Sequence, residues 1–139
     1  MIEAVIDCSL ALAWVLPDET SATADRLRKR LSRGSRLWVP ALWWYELSNV
    51  LVTAQRRKRL TETDAKLALQ QYRRLPIETE FELDMESLWR ACLMAVRYGL
   101  SAYDAAYLEL AHRKGLRLAT LDRALISAAH KAGVPIMTL

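Results

Sequence analysis

Ala4-Val5-Ile6-Asp7-Cys8-Ser9-Leu10 begins with three β-prone residues and an acid, then enters a helical run from Leu10 to Leu16 that Pro17 stops. A strand that passes straight into a helix is the unit from which the rest of the chain is read. Glu19 to Arg33 has few β-branched residues, places Leu27 and Leu31 four apart and stops at Gly34, so a helix is expected there. Leu37-Trp38-Val39 is the second strand, and Pro40 is the entry of a helix running to about Arg59. Thr61 and Asp64 match a capping box that opens a helix through about Arg74, which Pro76 closes before a strand around Ile77 to Phe81. Asp84 caps a helix to Tyr98. Ser101 and Asp104 form a second capping-box pattern, opening a helix to about Lys114 that ends at Gly115. Leu118-Ala119-Thr120 follows as a strand, Arg123 to Ala132 as a helix and Pro135 to Thr138 as a last strand. Strands separated throughout by helices imply right-handed crossovers and a parallel sheet covered on both faces.

The 139 residues, 53% hydrophobic and 26% charged, suit one domain spanning 1–139 with a real core and exclude a disordered chain. Cys8 and Cys92 lack CxxC spacing, so neither a disulfide framework nor a zinc site is indicated, and a reducing interior fits. The N-terminal segment has no basic leader and is interrupted by Glu3 and Asp7. No stretch approaches the roughly 18–20 uncharged residues of a membrane span. A soluble, cytoplasmic protein without a membrane partner is expected. The net charge of +4 permits a polyanionic partner.

In open parallel sheets, function collects outside the carboxyl ends of the strands. Asp7 ends the first strand and Asp122 follows the strand Leu118 to Thr120, although each alone also reads as a helix cap. Glu46 shares a helix face with Leu42, Trp43 and Val50 and so points along an apolar stripe. Asp104 shares its face with Leu100, Tyr107 and Leu108, though a capping box with Ser101 would also account for it. Taking a carboxylate out of water is costly unless it is paired, so an inward Glu46 near other acids calls for a cation. Four carboxylates with no histidine or thiolate suit Mg²⁺ or Mn²⁺ and not zinc. Such an ion polarises a phosphodiester and activates water, which makes phosphodiester hydrolysis the chemistry to expect.

Val5-Ile6-Asp7-Cys8-Ser9, Val39 to Leu51, Ser101-Ala102-Tyr103-Asp104-Ala105-Ala106-Tyr107-Leu108 and Leu118 to Asp122 resemble the PIN-domain family, and within it VapC-type toxins of bacterial toxin–antitoxin pairs. The likeness covers nearly the whole chain, and the Tyr-Asp-Ala-Ala-Tyr-Leu run is its most specific part. It implies a three-layer α/β/α sandwich with a parallel five-stranded sheet. It also implies a catalytic cluster of Asp7, Glu46, Asp104 and Asp122 holding Mg²⁺ or Mn²⁺. Asp7 and Asp104 would ligate directly, Glu46 and Asp122 directly or through water, with Ser9 and Thr120 orienting the carboxylates. The implied activity is endoribonuclease cleavage of RNA, restrained by a cognate VapB-type antitoxin. The alternative is a catalytically silent module of the same fold that binds nucleic acid or protein. A phospho-acceptor receiver domain fits poorly, because Asp7 stands alone after the first strand and no lysine follows Met137.

Trp43, Trp44 and Tyr45 are consecutive and cannot all face one core, so part of this surface is expected to meet a partner. The partner is either a second copy in a homodimer or the antitoxin. His112 and His130 lie far from any nucleophile motif, which argues against a Ser/His hydrolase. Arg26, Arg28, Lys29, Arg30, Arg33 and Arg36 form the densest basic segment, a candidate RNA contact. Arg56 to Arg59 also read as a solvated helix end. If the first cluster touches phosphates, reversing two of its arginines will weaken RNA binding and flatten its salt dependence. An unchanged slope in a salt titration of binding would count against that contact.

Overall fold

The computed structural model describes residues 1–16 and 21–139. Its elements in chain order are β1 (Glu3–Ile6), α1 (Cys8–Leu12), α2 (Ala22–Arg30), β2 (Arg36–Pro40), α3 (Leu42–Arg56), α4 (Glu62–Arg73), β3 (Ile77–Glu80), α5 (Met85–Tyr98), α6 (Ala102–Lys114), β4 (Arg117–Ala119) and α7 (Arg123–Ala132). The four strands pair in parallel in the order β3-β2-β1-β4. Ala4, Val5 and Ile6 of β1 are completely buried, as a central parallel strand covered on both faces requires. The chain moves outward from β1 to β3 and then crosses back to lay β4 on the other side of β1. The order therefore reverses beside the residue that ends β1, the place where open α/β sheets bind ligands.

Most boundaries follow from identifiable caps. Ser21, Thr61, Asp84, Ser101 and Asp122 each accept a backbone N–H at the start of a helix, and Gly99, Gly115 and Gly133 take the left-handed conformation beyond three helix ends. Several expectations shift. The first helix starts at Cys8 and not Leu10, because Asp7 is its N-cap. The second runs only from Ala22 to Arg30, ending where Leu31 turns extended, and Gly34 belongs to the turn into β2. The expected start at Glu19 lies outside the described residues. Pro40 closes β2 instead of opening the helix, and α3 stops at Arg56 before Lys58 takes a positive φ of 58°.

The expected five-stranded sheet has four strands. The segment Pro135 to Thr138 makes only an isolated bridge between Ile136 and Leu118 at the β4 edge, with Leu118 N–H donating to the Pro135 carbonyl at 2.9 Å and Met137 N–H to the Leu118 carbonyl at 2.9 Å. Pro135 has no N–H to extend the ladder, and edge positions tolerate that loss.

Trp43 is fully buried and meets Trp44 and Tyr72 edge to face at 4.7 and 5.6 Å. The Tyr72 hydroxyl donates to the Ala11 carbonyl at 2.5 Å, tying α4 to the end of α1. Removing that hydroxyl in Tyr72→Phe should cost about 1 kcal/mol in urea unfolding, whereas Tyr72→Ala should cost about 3–5 kcal/mol through the cavity it leaves. Equal losses would mean that the hydroxyl, and not the ring, carries the contact.

Candidate active site

Asp7 lies where β1 ends and α1 begins, and it is only 7% exposed. Its Oδ1 accepts from the Ser9 N–H at 3.1 Å and the Ser9 hydroxyl at 2.6 Å, and its Oδ2 accepts from the Thr120 hydroxyl at 2.5 Å. The same hydroxyls also serve the β4–α7 turn: Ser9 Oγ accepts from Leu121 N–H at 2.9 Å and Thr120 Oγ1 from Asp122 N–H at 3.0 Å. Asp122 caps α7 through Oδ1, which accepts from the Ala124 and Leu125 N–H groups at 2.8 and 3.2 Å. Asp7 and Asp122 are thus helix caps, and they are also neighbouring charges. Burial raises the Asp7 carboxyl above the usual carboxylate range against the lowering effect of its hydrogen bonds, and the negative charge of Asp122 adds to the rise.

Glu46 is half-buried on α3, as its place on the apolar stripe requires. Its partner within the protein is a hydroxyl: Tyr107 O–H donates to Oε1 at 2.5 Å from α6. Tyr107 is 1% exposed, and burial together with this bond pushes its phenol far above the ordinary range. Cys8, whose thiol donates to the Trp43 carbonyl at 3.4 Å, feels the charges of both Glu46 and Asp7, as Tyr107 does. The thiol is likewise pushed well up by burial, so it packs the site and supplies no thiolate.

Asp104 is half-buried one turn before Tyr107 on α6. Its N–H donates to Ser101 Oγ at 3.1 Å, but the carboxylate does not return the bond, in contrast to the complete box of Thr61 and Asp64. The capping box therefore does not account for the Asp104 side chain. Among the described residues, both Asp104 oxygens, Glu46 Oε2 and Asp122 Oδ2 have no protein hydrogen-bond partner.

These donors are all oxygens, which suits a hard divalent ion. Among the described residues no three acidic, histidine or cysteine side chains converge closely enough to hold one unaided. Tyr107 is the functional candidate that sequence reasoning missed. Its spacing from Asp104 was visible, but an aromatic on a helix's apolar face reads as packing. The basic residues Arg26, Arg28, Lys29, Arg30, Arg33 and Arg36 are all exposed. Arg36 opens β2 opposite Glu3, at the other end of the sheet from Asp7. No helix among the described residues is long and apolar enough to cross a membrane.

A carboxyl whose folded pKa is raised penalises folding once the pH exceeds its unfolded value, and the penalty disappears below it. Asp7→Asn should therefore raise the melting temperature of the chain in EDTA at neutral pH, with a gain that shrinks as the pH falls through the ordinary carboxylate range. A gain independent of pH would remove burial of the charge as its cause.

A family model described as PIN domain matches residues 4–131. Ribonuclease VapC3 of Pyrobaculum aerophilum is 34% identical over 121 residues, covering 87% of this chain and 90% of its own length. Ribonuclease VapC9 of Mycobacterium tuberculosis is 35% identical over 133 residues, covering 95% and 94%. Among solved structures, a Pyrobaculum aerophilum protein superposes with a TM-score of 0.68 at 26% identity over 91% of this chain and 84% of its own. FitAcB of Neisseria gonorrhoeae, at 16% identity, shares the fold with a TM-score of 0.67 over 99% and 97%. A parallel sheet whose order reverses beside a caged aspartate, matched over nearly its full length, places this chain in the PIN-domain family.

Proposed function

We propose that this protein is a Mg²⁺- or Mn²⁺-dependent endoribonuclease, the toxin of a toxin–antitoxin pair. It acts in the cytoplasm as a homodimer and is held in check by a cognate VapB-type antitoxin. The observation that carries this reading is the caged Asp7 at the strand-order reversal, with Asp122 beside it and Glu46 held by Tyr107. The names of the curated relatives support the ribonuclease activity, and a solved toxin–antitoxin complex from Klebsiella pneumoniae with the same fold supports the antitoxin.

In this reading Asp7 and Asp104 would hold the ion, and Glu46 and Asp122 would hold it directly or through water. When bound, the ion would supply Lewis acidity and would activate water as the nucleophile. The protein contributes fixed geometry. Ser9 and Thr120 donate to both oxygens of Asp7 and hold its plane, while Tyr107 leaves Oε2 of Glu46 turned free for a water or an RNA hydroxyl. Arg26, Arg28, Lys29, Arg30 and Arg33 offer phosphate contacts along the flank of α2.

Purified protein should cleave RNA only with Mg²⁺ or Mn²⁺ present, and Asp7→Asn and Asp104→Asn should abolish cleavage while remaining folded. Thr120→Val, which removes one donor to Asp7, should slow it roughly 10–100-fold. Cleavage persisting in both aspartate variants would refute this site. A wild type that binds RNA without cutting it would favour the silent binding module.

A further inference from the structure

Four aromatic side chains among the described residues stand mostly in water: Tyr45, Phe81, Trp89 and Tyr103. Three of the four share one edge of the molecule. Phe81 follows the end of β3. α3 follows β2 after one residue and α6 leads into β4, so the first turns of both helices lie at the carboxyl ends of the strands. Those turns hold Tyr45, 76% exposed, and Tyr103, 66% exposed. Each tyrosine is the chain neighbour of an acid of the candidate site, Tyr45 of Glu46 and Tyr103 of Asp104. Tyr103 also lies one turn before Tyr107 on the same face of α6, and Tyr107 reaches Glu46 across the gap to α3. Helical side chains lean toward the helix N-terminus, which brings that phenol up to the level of Tyr103. Tyr103 therefore stands at the mouth of the gap that the Glu46–Tyr107 bond closes.

Packing within the chain explains neither ring. Among the described residues the Tyr45 and Tyr103 hydroxyls have no protein hydrogen-bond partner, and neither ring joins an aromatic pair or lies under a cation. Their place beside the acids gives them a use. Carboxylates repel phosphate, so a strand of RNA passing over them has to be held there by contacts that carry no charge. The densest basic segment does not reach this edge in full, since Arg36 starts β2 at the opposite end of the sheet. Aromatic rings hold RNA without charge by stacking on base faces, which unpaired nucleotides leave open. Tyr45 on α3 and Tyr103 on α6 are separate rings on separate helices. That arrangement suits successive bases of a strand better than a protein partner, which would need one continuous apolar face.

We propose that Tyr103 and Tyr45 form a platform on which the bases beside the phosphodiester to be cut are stacked. This rests on the ribonuclease reading above and names how its substrate is held. In EDTA, where cleavage cannot intervene, fluorescence anisotropy of an unstructured, mixed-sequence RNA should show binding to the wild type that weakens roughly 5–100-fold in Tyr103→Ala and in Tyr45→Ala. The slope of affinity against salt should not change, because no phosphate contact is lost. Tyr103→Phe, which keeps the ring, should bind like the wild type. The loss should vanish for the same RNA annealed to its complement, whose base faces are already stacked. With Mg²⁺ present, both alanine variants should raise the KM for cleavage by a like factor. A wild type that neither binds nor cuts RNA would overturn the ribonuclease reading and the platform with it. A wild type that cuts RNA, with KM unchanged in both alanine variants, would overturn the platform and leave the ribonuclease standing. Weaker binding with a flatter salt slope would overturn it in favour of a phosphate contact, and weaker binding with a halved sedimentation mass in favour of a protein interface.

Discussion

One carboxylate ties the sheet to the site. Asp7 ends the central strand, caps the first helix, and through Ser9 and Thr120 binds the turn by which β4 passes into α7. A buried charge needs its lone pairs occupied, and here the groups that occupy them accept in turn from Leu121 and Asp122 N–H. The position of Asp122 is therefore inherited from Asp7: the hydroxyls that satisfy the first acid fix the backbone that presents the second. Without Asp7, the reversal of strand order would remain, but the loops on its two sides would lose their common anchor.

Glu46 is placed by a separate device of the same kind. The Tyr107 phenol reaches from α6 to α3 and holds one oxygen of the carboxylate, so the orientation of Glu46 depends on how two helices pack over the strand ends. Hydrogen bonds of this kind hold like charges close, at an energetic cost the fold must offset elsewhere. The offset is visible in the core behind the site, where Trp43, Leu47, Tyr107 and Leu108 are buried to within 1% of complete. A rigid apolar floor fixes the acids that line its edge.

How far this was legible in the sequence depended on how local each signal was. Strand–helix alternation, Thr61, Asp84 and Ser101 as caps, and Asp7 and Asp122 at strand ends could all be read, because each is set by a few adjacent residues. The fifth strand could not be sized, since Pro135 to Thr138 has strand composition but its pairing is decided by a missing N–H and an edge position. Tyr107 reads in the sequence as packing on an apolar helix face, because its partner Glu46 lies 61 residues away. The exposed aromatic surface was expected at Trp43 to Tyr45. Trp43 instead fills the core, Trp44 donates to Thr79 at 2.9 Å, and Tyr45 alone is left largely in water. The apolar surplus sits on α5, where periodicity shows two apolar stripes and only the three-dimensional packing shows which one the chain covers itself.

The mild net charge conceals a separation that the fold makes useful. Asp7 and Asp122 follow the carboxyl ends of β1 and β4, while Arg36 starts β2 at the opposite end and Arg33 lies in the turn before it. A strand of five residues spans about 15 Å, more than the roughly 8 Å screening length at physiological salt. The two ends are therefore largely screened from one another. Had the same charges been interspersed, arginines would have paired with the free carboxylate oxygens of Asp104, Glu46 and Asp122. Their separation along the strand axis keeps those oxygens open while the surface as a whole stays attractive to a polyanion.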